Sequence, residues 1–130
     1  MTKEIYLITG ASDGIGAVYA DRLARRGHDL VLVARRADKL DTLAEKIRNE
    51  HGVAVESLTA DLSQPGGLEK VEKRLREDVR ITGLVNNAGI AGDGPITSLD
   101  AVHVTGMIAL NVLAVTRLAA AIAPRLAATS

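Results

Sequence analysis

Three glycines in the run Thr9-Gly10-Ala11-Ser12-Asp13-Gly14-Ile15-Gly16 have the type and spacing to do chemistry. A glycine-rich turn leading from a strand into a helix leaves backbone N–H groups unpaired at the positive end of the helix dipole, where a phosphate group binds. Gly10 lets the chain turn sharply off the strand, Gly14 lets backbone approach a pyrophosphate, and Gly16 lets the helix pack closely. Ser12, Asp13 and Ile15 lie in the same turn and are taken with it as candidate binding residues. The spacing G-x-x-x-G-x-G lacks the G-K-[ST] ending of a P-loop, so an ATPase of that class is excluded, and it differs from the common G-x-G-x-x-G. A glycine-rich turn without a ligand is the alternative. The strand before the turn, the helix after it and a second strand in sequence argue against that.

The end of the second strand should carry an Asp or Glu if the adenosine ribose of NAD is to be held there, about 20 residues past the glycine loop. Arg35 stands at that position, followed by Arg36. A carboxylate would repel the 2′-phosphate of NADP, whereas a guanidinium pairs with it through parallel charge-assisted hydrogen bonds. NADP(H) is therefore favoured. The alternative, two arginines merely solvating a helix start, runs against the helix dipole; Asp13 adds an opposing negative charge to the loop. Asp61-Leu62 ends the third strand. The carboxylate there could accept a hydrogen bond from the adenine amine while the leucine packs on the ring, or it could simply shape the turn. Asn86-Asn87-Ala88-Gly89 follows the fourth strand, with residues small enough for a ribose to lie against backbone.

These pieces need a frame that places all of them at one edge. The apolar runs at 4–9, 29–34, 53–59 and 81–86 read as strands, the second nearly continuous in hydrophobicity, as a strand covered on both faces must be. Helical patterns lie between them; Leu40, Leu43, Ala44 and Ile47 form one apolar stripe and Leu68, Val71 and Leu75 another. The alternation predicts an α/β fold: a doubly wound parallel sheet of four strands with right-handed crossovers and helices on both faces. A long helical stretch from about Ser98 to Leu126 is expected as two helices in series, kinked at Pro124. Its segment Met107 to Leu126 is apolar nearly all the way round, which predicts burial on several sides and a surface for a second copy of the chain. Asn111, Arg117, Arg125 and Pro124 argue against a membrane span.

Composition narrows the class further. The 130 residues are read as one domain, 1–130, with hydrophobic content of 47% supporting a core. Sixteen Lys and Arg balance sixteen Asp and Glu, so the strongly basic surface of a nucleic-acid binder is missing. No cysteine is present, which removes disulfides, thiolate metal sites and a Cys nucleophile and fits a reducing compartment. No metal site is expected, and His28, His51 and His103 are read as single surface residues. With no signal-peptide pattern at the N-terminus, a cytoplasmic location is expected.

The glycine segment, Arg35, Asp61-Leu62 and Asn86-Asn87-Ala88-Gly89, in that order, resemble the short-chain dehydrogenase/reductase family. The resemblance spans most of the chain and implies a Rossmann-type fold, a nicotinamide cofactor, and hydride transfer between that cofactor and a small-molecule carbonyl or alcohol. It implies roles in cofactor binding for Asn87, Ala88 and Gly89. It gives Asn111 a catalytic part, holding a water in a proton relay; on its residue type alone Asn111 is a polar residue that needs a hydrogen-bond partner. The family's general acid is a Tyr with a Lys four residues on, helped by a Ser, and these lie beyond a fifth strand that would begin after Ser130. The two tyrosines here, Tyr6 in the first strand and Tyr19 on the first helix, do not match that pattern. The expected reading is the cofactor-binding part of an NADP(H)-dependent oxidoreductase, with a dinucleotide-binding module that does not turn over as the alternative.

Overall fold

The computed structural model describes residues 3–12, 14–89 and 100–129; Asp13 and the segment 90–99 lie outside the described residues. The elements run β1 (Ile5–Thr9), α1 (Gly14–Arg25), β2 (Asp29–Ala34), α2 (Ala37–His51), β3 (Val55–Thr59), α3 (Pro65–Glu77), β4 (Ile81–Val85), α4 (Ala101–Ile108), a π-helical stretch (Ala109–Ala114) and α5 (Val115–Thr129). The four strands form one parallel sheet in the order β3-β2-β1-β4. This is the expected α/β, Rossmann-type sheet.

Alternation along the strands builds two cores. Leu7, Val31, Val33 and Ile81 pack with Leu68, Val71 and Leu75 of α3 and Leu118 and Ile122 of α5. Ile8, Leu30, Leu32 and Val55 pack on the opposite face with Ala20 and Ala24 of α1 and Leu40, Ala44 and Ile47 of α2. Two-sided burial is why β2 carries no alternating polar positions. In the β1–β4 register Ile5 faces Ile81 but Tyr6 faces Gly83, so Thr82 is an extra residue. The bulge lets Ile81 and Gly83 take opposite faces correctly. Gly83 is required there, because a Cβ would stand 2.2 Å from the Tyr6 ring. The Tyr6 hydroxyl donates to Glu4 Oε2 at 3.1 Å, and its ring meets His28 edge-on at 5.2 Å between centroids. His28 is buried, not a surface residue as expected, and its Nδ1 accepts the Glu4 N–H at 3.1 Å.

Polar contacts fix the helices to one another. His51 Nε2 lies 2.8 Å from Asp21 Oδ1, joining the end of α2 to α1. Gly52 ends α2 in the left-handed region, φ +68°, with its N–H on the Arg48 carbonyl. The Arg48 and Lys70 side chains cover the outer edge of β3, donating to the carbonyls of Val55 at 2.9 Å and Thr59 at 3.0 Å. Arg117 of α5 makes a two-pronged pair with the buried Glu72 of α3.

The C-terminal stretch corrects two expectations. Residues Ala101–Thr129 form one continuous helical run whose turns widen to π geometry around Asn111, not two helices in series. Pro124 lies within this run, which continues to Thr129. Burial is confined to one stripe: Ala114, Leu118 and Ile122 are covered, while Ile108, Val112 and Leu113 are about half exposed. By length and composition alone, Ala101–Ala128 is apolar enough to cross a membrane, with 17% of its most apolar window buried. Its inner stripe and Arg117 nonetheless lie on α3.

Candidate functional site

The chain adds β2 and β3 on one side of β1, then crosses over to place β4 on the other. A crevice therefore opens at the carboxyl ends of β1 and β4, the point where ligands bind in open parallel sheets. The glycine segment leaves β1 there and Asn87-Ala88-Gly89 leaves β4. The two touch: a Cβ on Gly10 would stand 2.9 Å from the Ala88 Cα.

Thr9 makes the joint. Fully buried, its Oγ1 accepts the N–H groups of Asn87 at 3.0 Å and Ala88 at 2.9 Å. Asn87 Nδ2 donates to the Gly10 carbonyl at 3.3 Å, and the Ala11 N–H donates to the Val33 carbonyl at 3.2 Å, so the turn is held from both neighbouring strands. The glycines differ as their tasks require. Gly10 and Gly14 sit in the left-handed region at φ +61° and +58°, and no atom lies within 4 Å of a Cβ built on Gly14. A Cβ on Gly16 would stand 2.1 Å from the Gly10 carbonyl oxygen, so α1 starts as close to the turn as backbone can come. Ile15 is exposed on the first turn of α1. Asp13 falls outside the described residues.

Beside this turn lies a cavity of about 300 Å³, lined by Gly10, Ser12, Arg35, Asp61, Ala88 and Gly89 among others. The exposed Arg35 side chain makes no hydrogen bond or ion pair to a described residue. Arg36 also lines the cavity, but its Nη2 is 3.2 Å from Asp38 Oδ2. The Lys39 N–H first, and Arg36 second, hold the Asp38 carboxyl below its usual range. Asp61 Oδ1 accepts from the Ser63 backbone at 3.0 Å and its hydroxyl at 2.6 Å, the turn-shaping role, while Oδ2 bonds no described residue. Ser63 thus does not cap α3, whose N-cap is Gln64. Leu62 is buried in the core and contributes to the cavity floor. A second hollow, about 610 Å³, continues from Arg35, Asp61 and Leu110 along α4.

Asn111 reaches the site from the π stretch. Its Oδ1 would lie 3.0 Å from a Cβ on Gly89, so it stands directly beside that glycine. Asn86 Nδ2 donates to the Val115 carbonyl at 2.7 Å, tying the end of β4 to the start of α5. Two residues at the site escaped the sequence reading. Thr9 gave no signal beyond ending a strand. Lys39, which lines the cavity, was readable only as a wet-face residue of α2, though a cation in a helix's first turn opposes the dipole.

The crevice, its glycine turn and the empty space around Gly14 fit the phosphates of a dinucleotide, and Arg35 lines the neighbouring cavity. A family model, that of the short-chain dehydrogenases, matches residues 4–130. The chain belongs to the short-chain dehydrogenase family. Among solved structures it is similar to a short-chain dehydrogenase from Sphingobium yanoikuyae in complex with NADPH, at 57% identity and TM-score 0.95, covering 97% of this chain and 49% of that one. It is similar also to the bulky-bulky ketone specific alcohol dehydrogenase from Comamonas testosteroni, at 47% identity and TM-score 0.96, covering 99% and 52%. Among curated relatives, the very-long-chain 3-oxoacyl-CoA reductase-A of Danio rerio is 36% identical over 127 residues, 94% of this chain and 39% of that protein. The short-chain dehydrogenase chain described here thus spans about half of those solved structures and less of that curated relative.

Proposed function

We propose that this chain is the cofactor-binding part of an NADP(H)-dependent short-chain dehydrogenase, moving hydride between nicotinamide and a carbonyl or alcohol on a small or medium-sized apolar substrate. The observation that carries the reading is Arg35, placed at the end of β2 on the cavity with no partner among the described residues. The NADPH held by the Sphingobium relative supports it. A bound nicotinamide cofactor would supply or accept the hydride. The chain's own residues hold and orient. The amides at the start of α1, reached through the open space at Gly14, would hold the pyrophosphate; Gly10, Ser12, Ile15 and Gly16, with Asp13 in the same run of sequence, would form that binding turn. Arg35 and Arg36 would hold the 2′-phosphate, Asp61 Oδ2 would accept from the adenine amine with Leu62 beneath it, and Asn87, Ala88 and Gly89 would line the ribose. Asn111, beside Gly89, is positioned to hold a water for proton transfer.

Titration of the chain with NADPH and NADH by calorimetry tests this. NADPH should bind more tightly, and Arg35→Ala should weaken NADPH about tenfold, the worth of one charge-assisted hydrogen bond, while leaving NADH unchanged. Equal affinities in the unmodified chain would overturn the assignment. One observation favours the alternative, binding without turnover by these 130 residues alone. The Tyr6 hydroxyl donates to Glu4 and Tyr19 is about half exposed on α1, and neither lines the cavity that Gly89 lines. The exposed Ile108, Val112 and Leu113 are proposed to meet a second copy of the chain, and sedimentation would show it.

A further inference from the structure

We infer that Asp21, Glu50 and His51 form a binding site for a divalent transition-metal ion of the zinc class, which ties α1 to the last turn of α2. The site is separate from the crevice and does not depend on the cofactor reading. Both helices begin at the crevice edge of the sheet and run away from it, and Glu50 and His51 are the last two residues of α2. Spacing alone shows none of this, because Asp21 stands 30 residues before His51. Only the fold brings the three together.

Their donor atoms converge. His51 Nε2 lies 2.8 Å from Asp21 Oδ1 and 3.9 Å from Glu50 Oε2, and one ligand atom from each residue lies within 4.8 Å of the others. Around a four-coordinate zinc ion, with bonds of about 2.0–2.2 Å to nitrogen and carboxylate oxygen, ligand atoms stand roughly 3.3–3.5 Å apart. The two separations from Nε2 straddle that spacing, and the Glu50 side chain, 47% exposed, can close the difference by a change of rotamer. One imidazole with two carboxylates suits zinc, nickel or copper, and it leaves a fourth position for water.

Charge also calls for a cation at this point. The imidazole gives its Nε2 proton to a single carboxylate, that of Asp21. Glu50 faces the same nitrogen from beyond hydrogen-bond reach and makes no other ion pair or hydrogen bond among the described residues. It stands in the last turn of α2, at the negative end of the helix dipole, where an acidic side chain is disfavoured. A local rule broken beside a second carboxylate and an imidazole is what a metal site would explain. The cations nearby leave the inner face clear: Arg25 approaches Asp21 at its other oxygen, Oδ2, at 3.7 Å. The His51 hydrogen bond above all, with Arg25 and Lys46 adding to it, holds the Asp21 carboxyl below its ordinary range, so it is an ionised ligand at neutral pH.

The test is calorimetric titration of the full chain, tag-free and treated with chelator, with ZnCl₂. Glu50→Gln removes one ligand and leaves the His51–Asp21 hydrogen bond that joins the helices; His51→Ala removes both, and melting curves check that each variant is folded. The unmodified chain should take up one Zn²⁺. Each variant should bind at least about tenfold more weakly, since even a residue that only orients a metal ligand is worth about 10–100-fold in affinity. Zn²⁺ at a concentration that saturates the unmodified chain should raise its melting temperature and leave that of Glu50→Gln nearly unchanged. Absence of saturable binding, or either variant binding as tightly as the unmodified chain, overturns the inference. If His51→Ala does not fold, Glu50→Gln alone decides.

Discussion

Thr9 Oγ1 lies 2.9 Å from the backbone nitrogen of Ala88, and that hydroxyl is the acceptor on which the end of β4 is hung from the end of β1. It also accepts the Asn87 N–H. Both loops of the crevice therefore share one anchor.

Thr9→Val keeps the shape and removes that acceptor. Two N–H groups beside a fully buried residue lose their partner, at roughly 1–3 kcal/mol each. Thr9→Ser keeps the hydroxyl and loses only a buried methyl, about 1 kcal/mol. Denaturant unfolding should rank the valine variant well below the serine variant; equal stabilities would show that Thr9 acts by packing alone.

Two glycines of the turn should fail in different ways. Gly16→Ala sets a Cβ 2.1 Å from the Gly10 carbonyl, and displacing backbone there should cost about 1–3 kcal/mol in stability, seen as a lower melting temperature. Gly14→Ala meets no atom and adds only left-handed strain of about 1–2 kcal/mol, but its Cβ occupies the approach proposed for a pyrophosphate. NADPH affinity should therefore drop further in Gly14→Ala than its stability loss explains. Unchanged affinity in that variant would remove Gly14 from the binding surface.

Acid should loosen the α3–β4 corner. Arg80, and after it Arg74, hold the Asp78 carboxyl well below the ordinary carboxylate range, and Arg74 likewise lowers Glu56. Carboxylates with depressed values add stability that is complete above an unfolded value of about 4 and is lost as pH falls below it. Unfolding free energy should thus fall from about pH 4 downward, and Asp78→Asn should be less stable at pH 7 with a shallower acid slope. An identical slope in the variant would place the proton uptake elsewhere.

The strand pattern was legible in the sequence because parallel strands buried on both faces must be apolar throughout, as residues 30–34 are. The glycine turn was legible because φ near +60° and backbone contact admit little else than glycine. Periodicity could not show that the C-terminal run would stay one helix. Its widened turns at Asn111 lie between a segment packed on α3 and the approach to Gly89, both long-range contacts that local pattern does not show. Apolar content likewise overstated burial, since among the described residues of that run only Ala114, Leu118 and Ile122 are buried, with Leu110, Ala121 and Leu126 partly covered beside them. Gly83 read as a plain strand residue; its reason, the Tyr6 ring, depends on a cross-strand register that the Thr82 bulge sets. Arg36 and Arg35 looked equivalent in sequence, and only the position of Asp38 separates them.

The cations on the carbonyls of β3 give the sheet a direction of growth. A strand arriving at that edge would first have to displace Arg48 and Lys70 from Val55 and Thr59, exchanging two satisfied carbonyls for its own amides. No cationic side chain of the described residues bonds a carbonyl of β4. Any further strand, whether contributed by the same polypeptide or by another molecule, is thereby steered to the β4 side, next to the crevice, where it would lengthen the wall that already holds Asn87 and Gly89.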